Sequence, residues 1–494
     1  YRAMGSGAVS GSNQVAIGRQ ALEALTSGTL NMAIGYQAGF SITDGQGNVA
    51  VGYAAVDSAI STNDNVGLGT YSLTNNVYGS SNVAIGTNAL YTSVSDGRSI
   101  AIGHGALKAA NQGGTSAANA YNIGIGHDAG NDITDGADNV LIGGQAGDKL
   151  TTGDGNVAVG KGSMGTGVAG MDNNTAIGID SMGSSNADAV HNTVAVGYGA
   201  AKNINIAGAV CVGYAAGYDA TDATGLVAVG YKAANENTDG LYNTAIGYEA
   251  LDNNVDGDKN TAVGYQALKT MEPNAGNSHN TAIGYQAGTL VTTGENNTFV
   301  GYTGIALTTG SDNVVIGTGA MTTANTNESR CVAIGRSALA AMDSDDGGTG
   351  SDGNMRTVAI GYNAGATLDT GYDNTIIGYN AGDGTDDGNF NTAVGTSALG
   401  ANCGNSNTAI GRQAGVIATG NYNTFVGALA GNTTAAADSN ICIGYNTECE
   451  DATATKQFII GVNLNGTADE AVFIGDDGDH IRCDWGTDAT WDKV

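Results

Sequence analysis

The sequence predicts an all-β fold, a parallel β-solenoid with about 17 residues in each coil. The first observation is the nine-residue stretch Asn280–Gly288, NTAIGYQAG, which has near copies through the whole chain. The second is their spacing: with the glycine that follows the apolar run as anchor, 27 copies lie between Gly18 and Gly475, and fifteen of the 26 intervals are 17 residues. The third is an apolar alternation with a period of two inside each copy. Such a fixed period is typical of one small unit stacked on itself.

Within each copy the apolar residues alternate as they do in a β-strand. The residue before the anchor glycine is Ile or Val in 26 of the 27 copies, and the residue two positions earlier is Val, Thr, Ile, Met or Phe. Alternating β-branched residues favour strand, and the 81 glycines of the chain oppose helix. The position between the two is Ala in 16 copies. We expect the Ile and Val side to face the core of the coil, and the small Ala side to pack against another chain.

Stacked coils place equivalent side chains in ladders along the axis. In the copy quoted above, the ladder positions are Asn280, Ile283, Gly284, Tyr285 and Ala287. Asn amides can hydrogen-bond from coil to coil, and stacked Tyr rings bury area while their hydroxyl groups stay in water. At about 4.8 Å per coil, the 26 steps predict an elongated body with a length on the order of 125 Å.

One hexapeptide within the repeat suggests an enzyme, and the rest of the coil argues against it. Ile283–Gly288, IGYQAG, resembles the hexapeptide of left-handed β-helix acyltransferases, whose coils carry three such hexads. The residues six positions either side of Ile283 are Asn277 and Thr289, and neither is apolar. Only one hexad in three fits, so we do not expect an acyltransferase.

A second resemblance covers essentially the whole chain. Asn48–Gly52, Asn82–Gly86 and Asn156–Gly160 read NVAVG, NVAIG and NVAVG. This core resembles the repeat of the YadA-like heads of trimeric autotransporter adhesins. The resemblance implies a left-handed β-roll assembled as an elongated homotrimer, although the period here is longer than in that family.

The chain is expected to contain a repetitive shaft, residues 1–475, and a C-terminal segment, residues 476–494. That segment breaks the repeat and contains both tryptophans, Trp485 and Trp491. It resembles the junction between phage tail-fibre shafts and an endosialidase-type intramolecular chaperone, a domain that removes itself after the trimer folds. This resemblance implies a chaperone after Val494 in the precursor. The alternative is a simple cap on the last coil. Because Tyr1 is not an initiator residue and Ala3–Gly5 looks like half a repeat, we also expect residues upstream of Tyr1.

Composition and resemblance together suggest a structural function. The resemblance implies a phage tail fibre or tail-fibre-like adhesin on the virion, outside the cell, with host surface glycan or protein and other virion tail proteins as partners. The alternative is a bacterial trimeric autotransporter adhesin head or an extracellular filament subunit. A formal net charge of −30 opposes binding to nucleic acid or to an anionic membrane, and no apolar segment long enough for membrane insertion is present. No enzyme is expected, because Glu is sparse and no pair of carboxylates in a cleft is indicated.

No metal or other cofactor is expected, and two groups of residues are the alternative candidates for a metal site, the second of which is read first as a substitution within the aromatic ladder. The loop from Asp343 to Asp352 offers Asp343, Asp345, Asp346 and Asp352 among glycines, which suits Ca²⁺, although the order of an EF-hand is absent. Separately, His104 and His127 fill the Tyr position of adjacent copies, where we expect them to stack.

The cysteines predict no disulfide framework, and the threonines predict no ice-binding surface. Cys211 and Cys442 stand in the slot usually held by Ala, so we expect small strand residues there, and the redox compartment stays open. Ice binding requires a flat outward row of Thr. The Thr ladder here is interrupted by Val, and we expect it to face the core.

Overall fold

The computed structural model describes residues 3–5, 9–111, 118–166, 170–185, 190–272, 276–323, 327–342, 355–433, 435–449, 455–484 and 492–493. Within these residues the chain is all-β and has no helix. It divides into two compact units, Tyr1–Ile246 and Gly247–Val494, which are described separately.

The first unit is a stack of short parallel strands. Its strands are β1 (Val15–Ile17), β2 (Met32–Ile34), β3 (Val49–Val51), β4 (Val66–Leu68), β5 (Val83–Ile85), β6 (Asp96–Gly97), β7 (Ile100–Ile102), β8 (Ala118–Asn119), β9 (Ile123–Ile125), β10 (Val140–Ile142), β11 (Val157–Val159), β12 (Thr175–Ile177), β13 (Val194–Val196), β14 (Val210–Val212), β15 (Val227–Val229) and β16 (Thr244–Ile246). Each three-residue strand pairs in parallel with the next, and Ala16 lies opposite Ala33, which lies opposite Ala50. The two-residue strands β6 and β8 pair separately. The repeat therefore sets the pairing.

The second unit continues the same pattern and ends differently. Its strands are β17 (Gly257–Asp258), β18 (Thr261–Val263), β19 (Gly276–Asn277), β20 (Thr281–Ile283), β21 (Thr298–Val300), β22 (Val314–Ile316), β23 (Val332–Ile334), β24 (Val358–Ile360), β25 (Thr375–Ile377), β26 (Thr392–Val394), β27 (Thr408–Ile410), β28 (Thr424–Val426), β29 (Ile441–Ile443), β30 (Phe458–Val462), β31 (Ala471–Asp476), β32 (Asp479–Asp484) and β33 (Asp492–Lys493). Strand β17 pairs only with β19, β31 is the last parallel strand, and β32 pairs antiparallel with it. The boundary predicted after residue 475 stays a prediction.

The sequence-based fold class is confirmed as an all-β parallel β-solenoid, with about 25 turns at a spacing of about 17 residues. The handedness of the coil and its assembly as a homotrimer stay predictions.

The orientation predicted for the strands is wrong. The central Ala of the strand points into the coil: Ala84, Ala158 and Ala282 are fully buried within the single chain. The flanking residues point outward, and Ile283 is 44% exposed. The physical reason lies four residues after the anchor glycine, where side chains such as Leu90 fill the interior of the thin coil. Only a small strand residue fits opposite them.

Size complementarity inside the coil supports this explanation. Beside two of the large central residues, Phe299 and Phe425, the turn positions that face the ring are glycine. Phe299 is fully buried, and a Cβ on Gly288 or Gly304 would lie 2.8 or 2.4 Å from its ring. Phe425 has the same relation to Gly415 and Gly431, with corresponding distances of 2.6 and 2.3 Å. A constant interior volume is kept by exchanging large and small residues across the coil.

A buried polar ladder runs along the edge of each strand stack. The Asn48 side chain donates to Asn31 Oδ1 at 3.1 Å and to the Thr62 carbonyl oxygen at 2.8 Å. The Asn48 backbone N–H also donates to Asn31 Oδ1, at 2.9 Å. In the second unit, Asn280 Nδ2 donates to the Gly294 carbonyl oxygen at 2.8 Å. These amides are buried at little cost because both their donors and their acceptors are satisfied.

The anchor glycines lie directly against the backbone of the next coil. Gly143 has φ of +138°, and a Cβ there would lie 2.5 Å from the Gly160 carbonyl oxygen. A side chain at this position would therefore have to displace main chain rather than another side chain. A Cβ on Gly144, the next residue, would have open space around it, with nothing within 4 Å beyond its own chain neighbours.

We predict that Gly143→Ala destabilises the coil and that Gly144→Ala does not. Left-handed backbone strain and the collision with the next coil should together cost about 2–4 kcal/mol at Gly143, whereas Gly144→Ala should stay within about 0.5 kcal/mol. Thermal unfolding followed by circular dichroism, with limited proteolysis of the local coils, measures both. Equal melting of the two variants would contradict the stacking described here.

Candidate functional site

A surface feature repeated from coil to coil is the outward side of the strands, called the aliphatic face below. It consists of the first and third residues of the three-residue strands. These are Val, Thr, Ile or Met in the first position and Ile, Val or Leu in the third, so the described strands contribute no charge to it. The most exposed members are aliphatic, such as Ile17 in the first unit and Ile410 in the second. An uncharged, regularly spaced apolar surface of this kind is uncommon on a soluble monomer.

The threonines of the repeat lie on this face, which corrects the expectation that they face the core. Nine described strands begin with Thr, as β16, β18 and β20 do, and these side chains are only partly buried. The sequence-based argument from orientation against an ice-binding surface is therefore wrong. The second argument, that the row of Thr is interrupted, stands because Val or Ile occupies the same position in most other strands.

A ladder of tyrosines lies beside the aliphatic face, two residues further along each coil. In the first unit, Tyr198, Tyr214 and Tyr231 stack with centroid distances of 5.2 and 5.1 Å and interplanar angles of 9° and 11°. In the second unit, Tyr265 and Tyr285 stack at 5.1 Å and 7°. These rings are partly exposed. They extend the apolar surface while their hydroxyl groups remain accessible to solvent.

In two adjacent coils of the first unit, histidines replace the tyrosines of this ladder. His104 and His127 stack with a centroid distance of 5.2 Å and an interplanar angle of 13°. Asp128 lies beside both: its Oδ1 is 3.7 Å from His104 Nδ1, and its Oδ2 is 3.1 Å from His127 Nδ1. Among the residues that the structure describes, these three form the one group of histidine, cysteine or acidic side chains whose geometry could hold a metal ion.

The structure brings the two predicted histidines together and adds a residue that sequence reasoning missed. Asp128 could have been found from its position, because the residue after each ladder aromatic lies against the preceding coil. The four calcium candidates, Asp343, Asp345, Asp346 and Asp352, lie outside the described residues, as do Trp485 and Trp491. Calcium binding in that loop stays a prediction.

The cysteines are all buried, and none forms a disulfide among the described residues, which include all six. Cys211 and Cys442 occupy the central, inward position of β14 and β29, the Ala slot named from the sequence. Burial raises the pKa of the Cys211 thiol to about 12. The Cys442 and Cys449 sulfur atoms are 3.3 Å apart, and this contact together with burial raises the pKa of Cys442. The thiols of Cys211 and Cys442 are therefore poor nucleophiles.

Fold and surface together define a parallel β-solenoid repeat protein. Comparison with protein-family models, with curated proteins and with solved structures finds no match to this chain. Among the described residues, no helix is long and apolar enough to span a membrane.

We predict that Cys211 reacts with iodoacetamide only when the chain is unfolded. With the pKa raised, the thiolate fraction at pH 8 falls about a thousandfold below that of an exposed cysteine. Because the folded pKa lies above the unfolded one, the buried thiol stabilises the fold below pH 9, and this contribution is lost as the pH rises towards 12.

Mass spectrometry of labelled peptides measures the reaction of Cys211, and a Tyr214→Cys variant supplies an exposed thiol in the same coil as a control. Native-state labelling of Cys211 at the rate of that control would contradict its inward orientation.

Proposed function

We propose that this chain is a structural attachment protein, a phage tail fibre or tail-fibre-like adhesin that assembles as a homotrimeric rod. In this function the repeat supplies length and stiffness. Three identical chains multiply weak contacts with a host surface glycan or protein. The observation that carries the proposal is the aliphatic face, which a single chain leaves exposed.

The charge distribution supports self-association through this face. The chain carries 47 acidic and 17 basic residues, yet the outward positions of the described three-residue strands carry none of them. Chains with a net charge of −30 repel each other, so a contact between copies must use an uncharged surface. The ladder arrangement also makes the face regular, which suits packing against an identical chain.

The area of the face is in the range that association requires. At about 4.8 Å per strand and about 10 Å along each three-residue strand, the 14 such strands of the first unit cover roughly 650 Å². A stable, specific interface buries about 800 Å² on each partner. The neighbouring tyrosines of the same unit enlarge the available surface beyond this estimate.

The choice of three chains rests on the resemblance of the NVAIG-type repeat to trimeric adhesin heads. A trimer has a mass of about 147 kDa, three times the 49.0 kDa of one chain. Native mass spectrometry and light scattering measure this directly. A monomeric mass would overturn the proposal, and the more so if the protein also shows thermal hysteresis of ice growth. A dimeric mass would overturn the assignment of three chains.

The bacterial alternative uses the same fold in another setting. A bacterial adhesin head or an extracellular filament subunit would also need the aliphatic face for assembly. Neighbouring genes separate the two: capsid and tail genes support the phage assignment, and a downstream membrane-barrel segment supports the bacterial one.

We predict that three lysines on the aliphatic face of the second unit dissociate the trimer while each chain stays folded. The variant is Ile283→Lys with Ile377→Lys and Ile410→Lys, at side chains that are 44%, 37% and 43% exposed in the single chain. Each lysine buried without a partner in the interface should cost about 2–5 kcal/mol. Light scattering should then show a monomer with an unchanged circular dichroism spectrum.

A matched variant separates the face from a general effect of added charge. Leu290→Lys, Ile417→Lys and Tyr422→Lys introduce the same three charges in the second unit, at exposed positions outside the three-residue strands. This control should remain trimeric. If both triple variants dissociate, or neither does, the aliphatic face is not the interface.

A further inference from the structure

We propose that His104, His127 and Asp128 form a binding site for a divalent transition metal ion of the zinc, nickel, cobalt or copper class. The site is a property of two coils of the first unit and does not depend on the proposed attachment function.

Strand pairing fixes the position of the three residues. Ile102 at the end of β7 lies opposite Ile125 at the end of β9, and each is followed by an anchor glycine and then by histidine. The two histidines are therefore one coil apart on one surface, although the chain between them is longer than a normal repeat. Register in the strands, rather than the loop, brings them together.

The carboxylate is held in place by backbone contacts. Asp128 adopts φ of 54°, and its N–H donates to the His104 carbonyl oxygen at 2.9 Å. Its Oδ1 accepts a hydrogen bond from Asn131 Nδ2 at 3.1 Å. Gly105 provides the space for this side chain, because a Cβ there would lie 2.2 Å from Asp128 Oδ1. The Asp128 carboxylate is thus positioned by the Asn131 amide and by backbone groups, none of which would itself bind the metal ion.

The distances fit one tetrahedral ion. Bond lengths of about 2.1 Å place two ligand atoms of such an ion roughly 3.4 Å apart. The separations are 3.7 Å from His104 Nδ1 to Asp128 Oδ1 and 3.1 Å from His127 Nδ1 to Asp128 Oδ2, and one ligand atom from each residue can be chosen so that all three lie within 4.8 Å of one another. The histidine side chains are 56% and 64% exposed, so both rings can turn until their nitrogens converge. The remaining coordination position would be open to water.

The donor set and the local charge select the class of ion. Two imidazoles with one carboxylate suit zinc, copper, nickel and cobalt, whereas calcium and magnesium prefer oxygen alone. Asp132 and Asp148 interact electrostatically with the same neighbourhood, and Lys149 pairs with Asp132 at 2.9 Å. Three carboxylates against one ammonium group leave a net negative potential that attracts a cation.

The test uses the full chain without an affinity tag, and Zn²⁺ as the probe in isothermal titration calorimetry. His104→Tyr and His127→Tyr remove ligands while restoring the residue that neighbouring coils carry in this slot, so both variants should fold. Asp128→Asn removes the carboxylate. We expect each variant to bind Zn²⁺ at least about tenfold more weakly at this site. Co²⁺ should give visible d–d absorption in the unmodified protein that these variants lose.

His191→Asn is the matched control. His191 Nδ1 lies 3.6 Å from Asp172 Oδ2 and accepts a hydrogen bond from the Asp172 backbone N–H at 3.1 Å, so this is a half-buried histidine beside a carboxylate without a second histidine stacked on it. This variant should bind Zn²⁺ as the unmodified protein does. Unchanged affinity in the tyrosine variants, or an equal loss in His191→Asn, would overturn the proposal and leave Asp128 as an ordinary hydrogen-bond acceptor for the imidazoles.

Discussion

The close approach of backbone to backbone at the anchor glycines is the constraint on which the rest of the structure depends. At Gly86 and Gly411, a Cβ would lie 2.4 Å from the carbonyl oxygen of the next anchor glycine. Successive coils therefore meet here at a distance that no side chain permits. With this contact fixed, the strands before it pair in register, the asparagines four residues earlier align, and the aromatic residues after it stack. A repeat protein of this kind is held by identical neighbours, coil by coil.

The turns after the anchor show how much local strain this stacking balances. In the coil that starts at Gly86, Asn88 and Leu90 have φ of 60° and 49°, and Val56 of another coil has φ of 53°. A left-handed conformation costs about 1–2 kcal/mol for such residues, and a β-branched one is rare there. The compensation is a hydrogen bond to a neighbouring coil: the Leu90 N–H donates to the Ala106 carbonyl oxygen at 3.1 Å. Isolated from its neighbours, one coil would lack this compensation.

The period, the strands and the ladders could be predicted from the sequence, because each is a statement about spacing. Which side of the strand faces inward could not be predicted from alternation, because both Ala and Ile are apolar. The deciding signal was the large residue four positions after the anchor, such as Leu90, and its replacement by glycine beside Phe299 and Phe425. That signal requires knowing that the turn folds back onto the strand. Asp128 was missed although its position after His127 marks it, because its contact with His104 crosses from one coil to the preceding one.

Two kinds of surface follow from one backbone. The aliphatic face is a property of the average repeat, so single substitutions weaken it gradually, and in the proposed assembly it packs against another copy with the same period. The site at His104 and His127 is a property of an exception, two consecutive coils in which the ladder aromatic is imidazole instead of phenol. A solenoid tolerates such exceptions because the anchor contact and the buried asparagines maintain the stack independently of the outward side chains. Because the regular interior maintains the stack, the outward side chains of a single coil can differ from the repeat without loss of the fold.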